Sequence, residues 1–118
     1  MICLNIDYKF PSLNDYINAC RSNKFGGAAM KKKVQKDISQ KILQLPKFET
    51  PISIDFLWFE KNARRDYDNI AFAKKFILDA MVEQGRIKDD NRKFVTGFSD
   101  RFHLGKDYGV TLIIRGEE

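Results

Sequence analysis

Two aspartates separated by one residue, Asp66 and Asp68, lie in the segment RRDYDN at residues 64–69. In an extended backbone, alternate side chains project to the same side about 7 Å apart, since each residue rises about 3.4 Å. These two carboxylates could converge on one hard cation such as Mg²⁺, which prefers a few carboxylate oxygens and keeps several waters. The structural alternatives are that Asp68 or Asn69 caps a following helix and that Asp66 pairs with Arg64 or Arg65.

Two further carboxylates, Asp89 and Asp90, follow the next helical segment and could fold back toward the first pair. By itself, an Asp-Asp pair after a glycine is typical of a solvated turn. Several carboxylates that flank one helix in a basic protein are also what a metal-dependent phosphodiesterase requires. Carboxylates bind the ion, the ion polarises the phosphate and generates hydroxide, and basic side chains hold the backbone.

Lys75 is the basic residue expected nearest to this chemistry. On a continuous helix with 100° per residue, Asp68, Lys75 and Asp79 fall within about 40° of one another and form a narrow polar stripe. A lysine in that stripe could stabilise negative charge that develops on a phosphate. The structural alternative is a Lys75–Asp79 ion pair, worth about 0.2–0.5 kcal/mol on a helix surface. Both interpretations can hold together.

The charge balance points to a polyanionic partner. The chain has 118 residues, with 21 Lys and Arg against 16 Asp and Glu and a net charge of +5, and nucleic acid is the simplest partner for such a domain. The alternative is that a lysine run on an amphipathic helix is only a solvated face. The basic residues that could line a DNA-binding face are Arg64, Arg65, Lys31, Lys32, Lys33, Lys36, Arg92 and Lys93.

Length and hydropathy predict one domain over residues 1–118 in an ordinary globular protein. No apolar run approaches the roughly 20 residues that span a bilayer. The N-terminus has no basic region followed by an apolar one, so we expect no signal peptide, no membrane partner and a cytoplasmic location. Cys3 and Cys20 match no metal or redox spacing, and we expect them to be reduced and buried. His103 is expected in a loop, in a structural or solvated role.

The elements that must position the aspartates follow from periodicity and from the Pro and Gly positions. The predicted set is a strand at 2–10, a helix starting at Asn14 or Asp15, a loop at 23–27, a helix at 28–45, a strand at 52–59, a helix at 68–84 with Gly85 after it, a weak strand at 93–102, a hairpin turn at 103–109 and a strand at 110–115. This order, β-α-β-α-β-β, lacks the regular βαβ repeat of nucleotide-binding sheets. We predict an α+β fold in which two main helices pack on a small mixed β-sheet, without a nucleotide cofactor.

Taken together, these residues resemble the RusA family of crossover-junction endodeoxyribonucleases, which is common in bacteriophages and prophages. The family pattern reads approximately R-D-x-D-N, then K-x-x-x-D-A-L, then G and D-D. The matching runs are RDYDNI at 65–70, KFILDAM at 75–81, Gly85 and the pair at 89–90. The run PSLN at 11–14 also resembles the family's P-P-S-x-N turn, with Phe10 in place of the first proline.

The resemblance implies a homodimer, dependent on Mg²⁺ with Mn²⁺ as the alternative, that nicks four-way (Holliday) DNA junctions symmetrically in recombination and repair. Carried over by position, Asp66, Asp68 and Asp90 would bind the metal, with Asp89 as the alternative to Asp90. Lys75 would be the essential lysine. In the best-known form of the pattern this lysine follows the second aspartate by four positions, whereas here it follows by seven.

Two other functions are compatible with these residues. One is a flap- or fork-selective nuclease with the same site. The other is a DNA-binding module without catalysis, in which the carboxylates are caps and turn residues. A bacterial cell, with the protein encoded by a phage or prophage, is the setting that the resemblance implies.

Overall fold

The computed structural model describes residues 1–116, and within this range no helix is long and apolar enough to cross a membrane. The helices and strands, in chain order, are β1 (Ile2–Ile6), α1 (Leu13–Ser22), α2 (Gly26–Ile42), β2 (Ile52–Glu60), α3 (Tyr67–Ala71), α4 (Lys74–Glu83), β3 (Val95–Leu104) and β4 (Gly109–Gly116). The predicted α+β class is confirmed, although the helix predicted at 68–84 is divided into α3 and α4.

The four strands form one mixed sheet in the order β1-β4-β2-β3. β4 is antiparallel to β1 and to β2, whereas β2 and β3 are parallel. In β2 every second residue is buried, from Ile52 to Glu60, and the residues between them are partly buried. The sequence predicted a central position for this strand because both of its faces are apolar, and that prediction is confirmed.

One hydrophobic core joins the sheet to the helices. The even-numbered side chains of β2, such as Phe56 and Trp58, are buried with Val34 and Ile38 of α2 and with Phe76 of α4. Burial of each such side chain contributes about 1.5–3 kcal/mol relative to exposure. The helices therefore hold their positions on the sheet through this shared core.

The helix predicted at 68–84 is interrupted between α3 and α4. At the interruption Ala73 N donates to Ile70 O at 3.2 Å and Lys75 N donates to Phe72 O at 3.0 Å, and these bonds to the third preceding residue mark a tighter turn than an α-helix. The continuous helix that was assumed for the angular relation between Asp68 and Lys75 is therefore not present.

The helix end after α4 was predicted correctly. Gly85 has φ +70°, a conformation that favours glycine. Gly85 N donates to Val82 O at 3.0 Å and Arg86 N donates to Met81 O at 2.8 Å. These two bonds satisfy carbonyls at the end of α4 and direct the chain away from the helix axis.

The predicted hairpin between the last two strands is wrong. β3 and β4 lie on opposite sides of β2, and residues 105–108 connect them across the end of that strand, where Gly105 N donates to Glu60 O at 2.9 Å. His103 lies in β3, not in a loop, and its ring stacks on Phe59 with centroids 5.4 Å apart.

Three smaller expectations also change. β1 ends at Ile6 rather than at residue 10, and α2 begins at Gly26 within the predicted loop. α1 begins one or two residues early because Ser12 caps it: the Ser12 hydroxyl accepts from Asp15 N, and the Asp15 carboxylate accepts from Ser12 N. The cysteines form no disulfide, but both are exposed rather than buried.

Candidate functional site

The candidate site lies where the two parallel strands end. Glu60 and Leu104 are register partners at the carboxyl ends of β2 and β3. From β2 the chain passes through a short loop and enters α3 at Tyr67, with Asp66 at the N-cap position and Asp68 in the first turn. In open sheets, ligands bind beyond the carboxyl ends of parallel strands, so this loop lies where a binding site is expected.

A buried ion pair fixes this loop. Arg65 Nε and one terminal nitrogen each donate to the Glu60 carboxylate at 2.7 Å, and the other terminal nitrogen donates to Phe10 O at 2.8 Å. Glu60 is only 6% exposed. The two parallel bonds give the pair a defined geometry. They hold the chain immediately before Asp66 against the end of β2. Arg65 is thus a positioning residue whose side chain is 19% exposed, and its predicted contact with DNA stays a prediction.

The neighbouring aspartates have no such partner. Asp66 and Asp68 are both exposed, and within residues 1–116 neither carboxylate makes a hydrogen bond or an ion pair. Asp66 occupies the N-cap position without capping, and Asp68 lies inside the helix, so both structural alternatives fail.

The other predicted carboxylates lie elsewhere. Asp66 borders a hollow of about 480 Å³ at the strand ends, whereas Asp89 and Asp90 border a separate hollow of about 470 Å³ with Lys31 and Lys32. Among residues 1–116 no group of three or more His, Cys, Asp or Glu side chains is placed to hold a metal ion. The predicted convergence of Asp66, Asp68 and Asp90 is therefore not present in this chain.

The length of α4 and a local turn explain this separation. α4 has ten residues and is about 15 Å long at 1.5 Å per residue, so it carries the chain away from Asp68. The Asp89 carboxylate then accepts from Asp90 N at 2.8 Å and from Asn91 Nδ2 at 3.2 Å. These bonds are typical of an Asp that stabilises its own turn.

Two carboxylates are nevertheless a sufficient protein contribution for Mg²⁺. This ion is commonly bound by one or two carboxylates together with substrate phosphates and water. Asp66 and Asp68, both unpaired in the described residues, are donors of that kind. The extended backbone assumed for their convergence is replaced by α3 from Tyr67 onward. A closed site built from protein ligands alone does not fit these residues.

Lys75 and Lys31 share one carboxylate. Lys75 Nζ lies 3.3 Å from Asp79 Oδ1, which confirms the predicted pair, and Lys31 Nζ lies 3.0 Å from Asp79 Oδ2. The Asp79 side chain is 13% exposed. Oδ2 is buried and lacks hydrogen-bond geometry, so its contact with Lys31 is an ion pair only. Because Lys31 is on α2 and Lys75 is on α4, this carboxylate links the two helices.

Tyr16 lies beside these two lysines. A hydrogen bond with Cys20 raises the pKa of the Tyr16 phenol, whereas the charges of Lys31 and Lys75 act in the opposite direction. The Lys75 side chain is 60% exposed and the Lys31 side chain is 43% exposed. Lys75 can therefore exchange its pair with Asp79 for a phosphate more readily than Lys31 can.

The remaining predicted DNA-binding residues differ in whether a carboxylate already pairs with them. Lys33 pairs with Asp37 at 2.8 Å, one helical turn away on α2. Within residues 1–116 five of the predicted basic residues are exposed and have no carboxylate at ion-pair distance: Lys32, Lys36, Arg64, Arg92 and Lys93. These five can meet phosphates without first breaking an internal ion pair.

Aromatic residues at the same hollow were not predicted. Tyr67, which is 67% exposed, stacks on Phe102 with ring centroids 4.2 Å apart and an interplanar angle of 9°. Both rings and His103 border the hollow that Asp66 also borders. Tyr67 could have been chosen from the sequence as a site residue, because it lies between the two candidate metal ligands Asp66 and Asp68. Phe102 gave none, because its place depends on how β3 pairs with β2.

Comparison of the sequence with protein-family models and with curated proteins gives no match.

Proposed function

We propose that this chain is a metal-dependent, structure-selective DNA endonuclease that acts on four-way junctions in recombination and repair. The observation that carries the proposal is the Asp66–Asp68 pair. These two exposed carboxylates have no partner within residues 1–116, although the preceding arginine is held by a different, buried carboxylate. In a chain of net charge +5, two unpaired aspartates, of which Asp66 borders a hollow, are suited to a cation that bridges protein and phosphate.

Asp66 and Asp68 would hold Mg²⁺ or Mn²⁺, which when bound supplies a polarised phosphate and an ionised water. The chain's own residues would position the loop that carries the aspartates and attract the DNA. Arg65 and Glu60 fix the start of the loop, and Arg64 and other exposed basic side chains attract the DNA backbone. A two-fold homodimer would present one such pair to each of two symmetry-related strands, which accounts for paired nicks.

The test is cleavage of an end-labelled synthetic four-way junction in Mg²⁺ and in EDTA. Asp68→Asn removes one charge with almost no change in size. Asp107→Asn is the matched control, since Asp107 is also an exposed aspartate but lies in the loop between β3 and β4. We expect symmetric, metal-dependent nicks from the wild type and the control, and none from Asp68→Asn, while all three proteins bind the junction.

A second candidate function is a DNA-binding module without catalysis. It is favoured by the absence, within residues 1–116, of a group of three metal-binding side chains. It predicts junction binding that does not depend on a metal and no cleavage in Mg²⁺ or Mn²⁺. In that case Asp68→Asn binds DNA slightly more tightly because a repulsion from phosphate is removed. Flap and fork substrates in the same assay distinguish junction selectivity from a broader nuclease.

A further inference from the structure

We propose that the hollow at the carboxyl ends of β2 and β3 binds one unpaired nucleobase, stacked on Tyr67, and that this contact selects branched DNA over duplex. The inference rests on the proposed function, since it assumes a DNA substrate. It adds a ligand class and a selecting residue to the site.

Tyr67 is built as a platform. Tyr67 is 67% exposed. Ile70, three residues later in the same helix, is buried in the core. One ring face is covered by Phe102 at 4.2 Å in a nearly parallel stack. Phe102 in turn is held in β3 opposite Trp58 of β2. The ring is thus fixed in place from one side and leaves its other face to solvent.

The hollow has the size and lining for a base. Its volume of about 480 Å³ falls within the range of about 300–1,000 Å³ that is typical of small-ligand sites. Ile70, Phe102 and Leu104 provide apolar surface, while Asn62 and His103 provide polar groups. A nucleobase has the same character, with apolar ring faces and a polar edge. Stacking on an aromatic ring tolerates any base sequence, because every base has a π-face.

The placement of the ring connects binding to selectivity. Tyr67 lies between Asp66 and Asp68 in the chain, so a base on its ring brings an adjacent phosphate to the carboxylate pair. In a regular duplex both faces of each base are occupied by neighbouring bases. At a branch point a base can leave the stack at a lower cost, as it does when it is mismatched or single-stranded. Only branched or locally melted DNA can therefore use the platform.

The experiment compares Tyr67→Ala and Tyr67→Phe with the wild type. Phe25→Ala is the matched control, because Phe25 is 68% exposed but lies at the start of α2 away from the hollow. The probes are a four-way junction with 2-aminopurine at the branch point and a duplex of the same sequence. Binding is measured in EDTA by fluorescence anisotropy and by 2-aminopurine emission, so that no cleavage is needed.

We expect Tyr67→Ala to weaken junction binding about 5- to 150-fold, the loss that corresponds to one base–aromatic stack. Duplex binding should change less than about twofold, since that stack is not formed there. Tyr67→Phe and Phe25→Ala should keep the wild-type preference. The 2-aminopurine emission should change on binding of the wild type and of Tyr67→Phe, and not on binding of Tyr67→Ala.

Equal weakening of junction and duplex binding by Tyr67→Ala, or no weakening of either, overturns the inference. A circular dichroism melt shows whether Tyr67→Ala is folded, and Tyr67→Phe retains the ring if it is not. Failure of the proposed function gives a different result: the wild type then binds the junction through Tyr67 but does not cleave it in Mg²⁺ or Mn²⁺. Cleavage that persists with unchanged junction preference in Tyr67→Ala removes only the base-binding inference.

Discussion

Replacement of Arg65 by alanine should strongly destabilise the fold. The substitution removes two bonds to the Glu60 carboxylate and one to Phe10 O, and leaves a buried charge without a partner. Breaking a buried pair from one side costs about 3–5 kcal/mol. At about 2.1 cal/mol/K per residue, a chain of this length has an unfolding entropy near 0.25 kcal/mol/K, so Tm should fall by about 12–20 °C.

The assay is urea and thermal unfolding followed by circular dichroism, with Lys33→Ala as the control. Lys33 belongs to an exposed ion pair with Asp37, and such pairs contribute about 0–1 kcal/mol. A double variant, Arg65→Met with Glu60→Leu, should recover most of the loss because it removes both charges from the buried site. If Arg65→Ala costs no more than Lys33→Ala, the ion pair does not fix the loop and our account of the site's positioning is refuted.

Two further predictions concern pH and the backbone. Hydrogen bonds from Ser99 and Arg115 lower the pKa of Asp55, so its contribution to stability is present above the unfolded pKa of about 3.9 and is lost as the pH falls through the lower folded value. Asp55→Asn should therefore reduce the loss of stability between about pH 5 and pH 2 in urea titrations; an unchanged pH profile would contradict this. Gly85→Ala should destabilise the fold by about 1–2 kcal/mol because φ at this position is +70°. Gly97→Ala is the control, since the space around Gly97 is equally open, and it should not destabilise the fold. Equal unfolding midpoints for the two variants would show that backbone conformation is not the cause.

The sequence predicted elements whose burial follows a simple period. β2 and the last strand were placed within one residue at each end, since alternate side chains of each are buried against the helices. The interruption between α3 and α4 was not predictable, because residues 68–84 contain no Pro or Gly to mark it. The pairing of β3 with β2 rather than with its chain neighbour is likewise a non-local choice that periodicity does not encode.

The same distinction holds for the candidate site. Asp66 and Asp68 are neighbours in the chain, but their predicted convergence assumed an extended backbone, and the structure has the helix α3 from Tyr67 onward. Asp90 depends on the length and exit direction of α4, and its expected place was wrong. The Glu60 partner of Arg65 could have been inferred, since Glu60 continues the buried even-numbered series of β2 and a buried carboxylate needs a cation.

The position of β4 inside the sheet determines when the sheet can form. β4 is the last of the four strands in the chain, yet it lies between β1 and β2, with Ile2 opposite Ile114. During synthesis β1 has no strand partner until β4 has been made, because it pairs with no other strand. Contacts between residues so far apart in the chain slow folding, since a long loop must close before they form. We expect a nascent chain that ends after β3 to keep β1 detached and one edge of β2 open to intermolecular strand pairing.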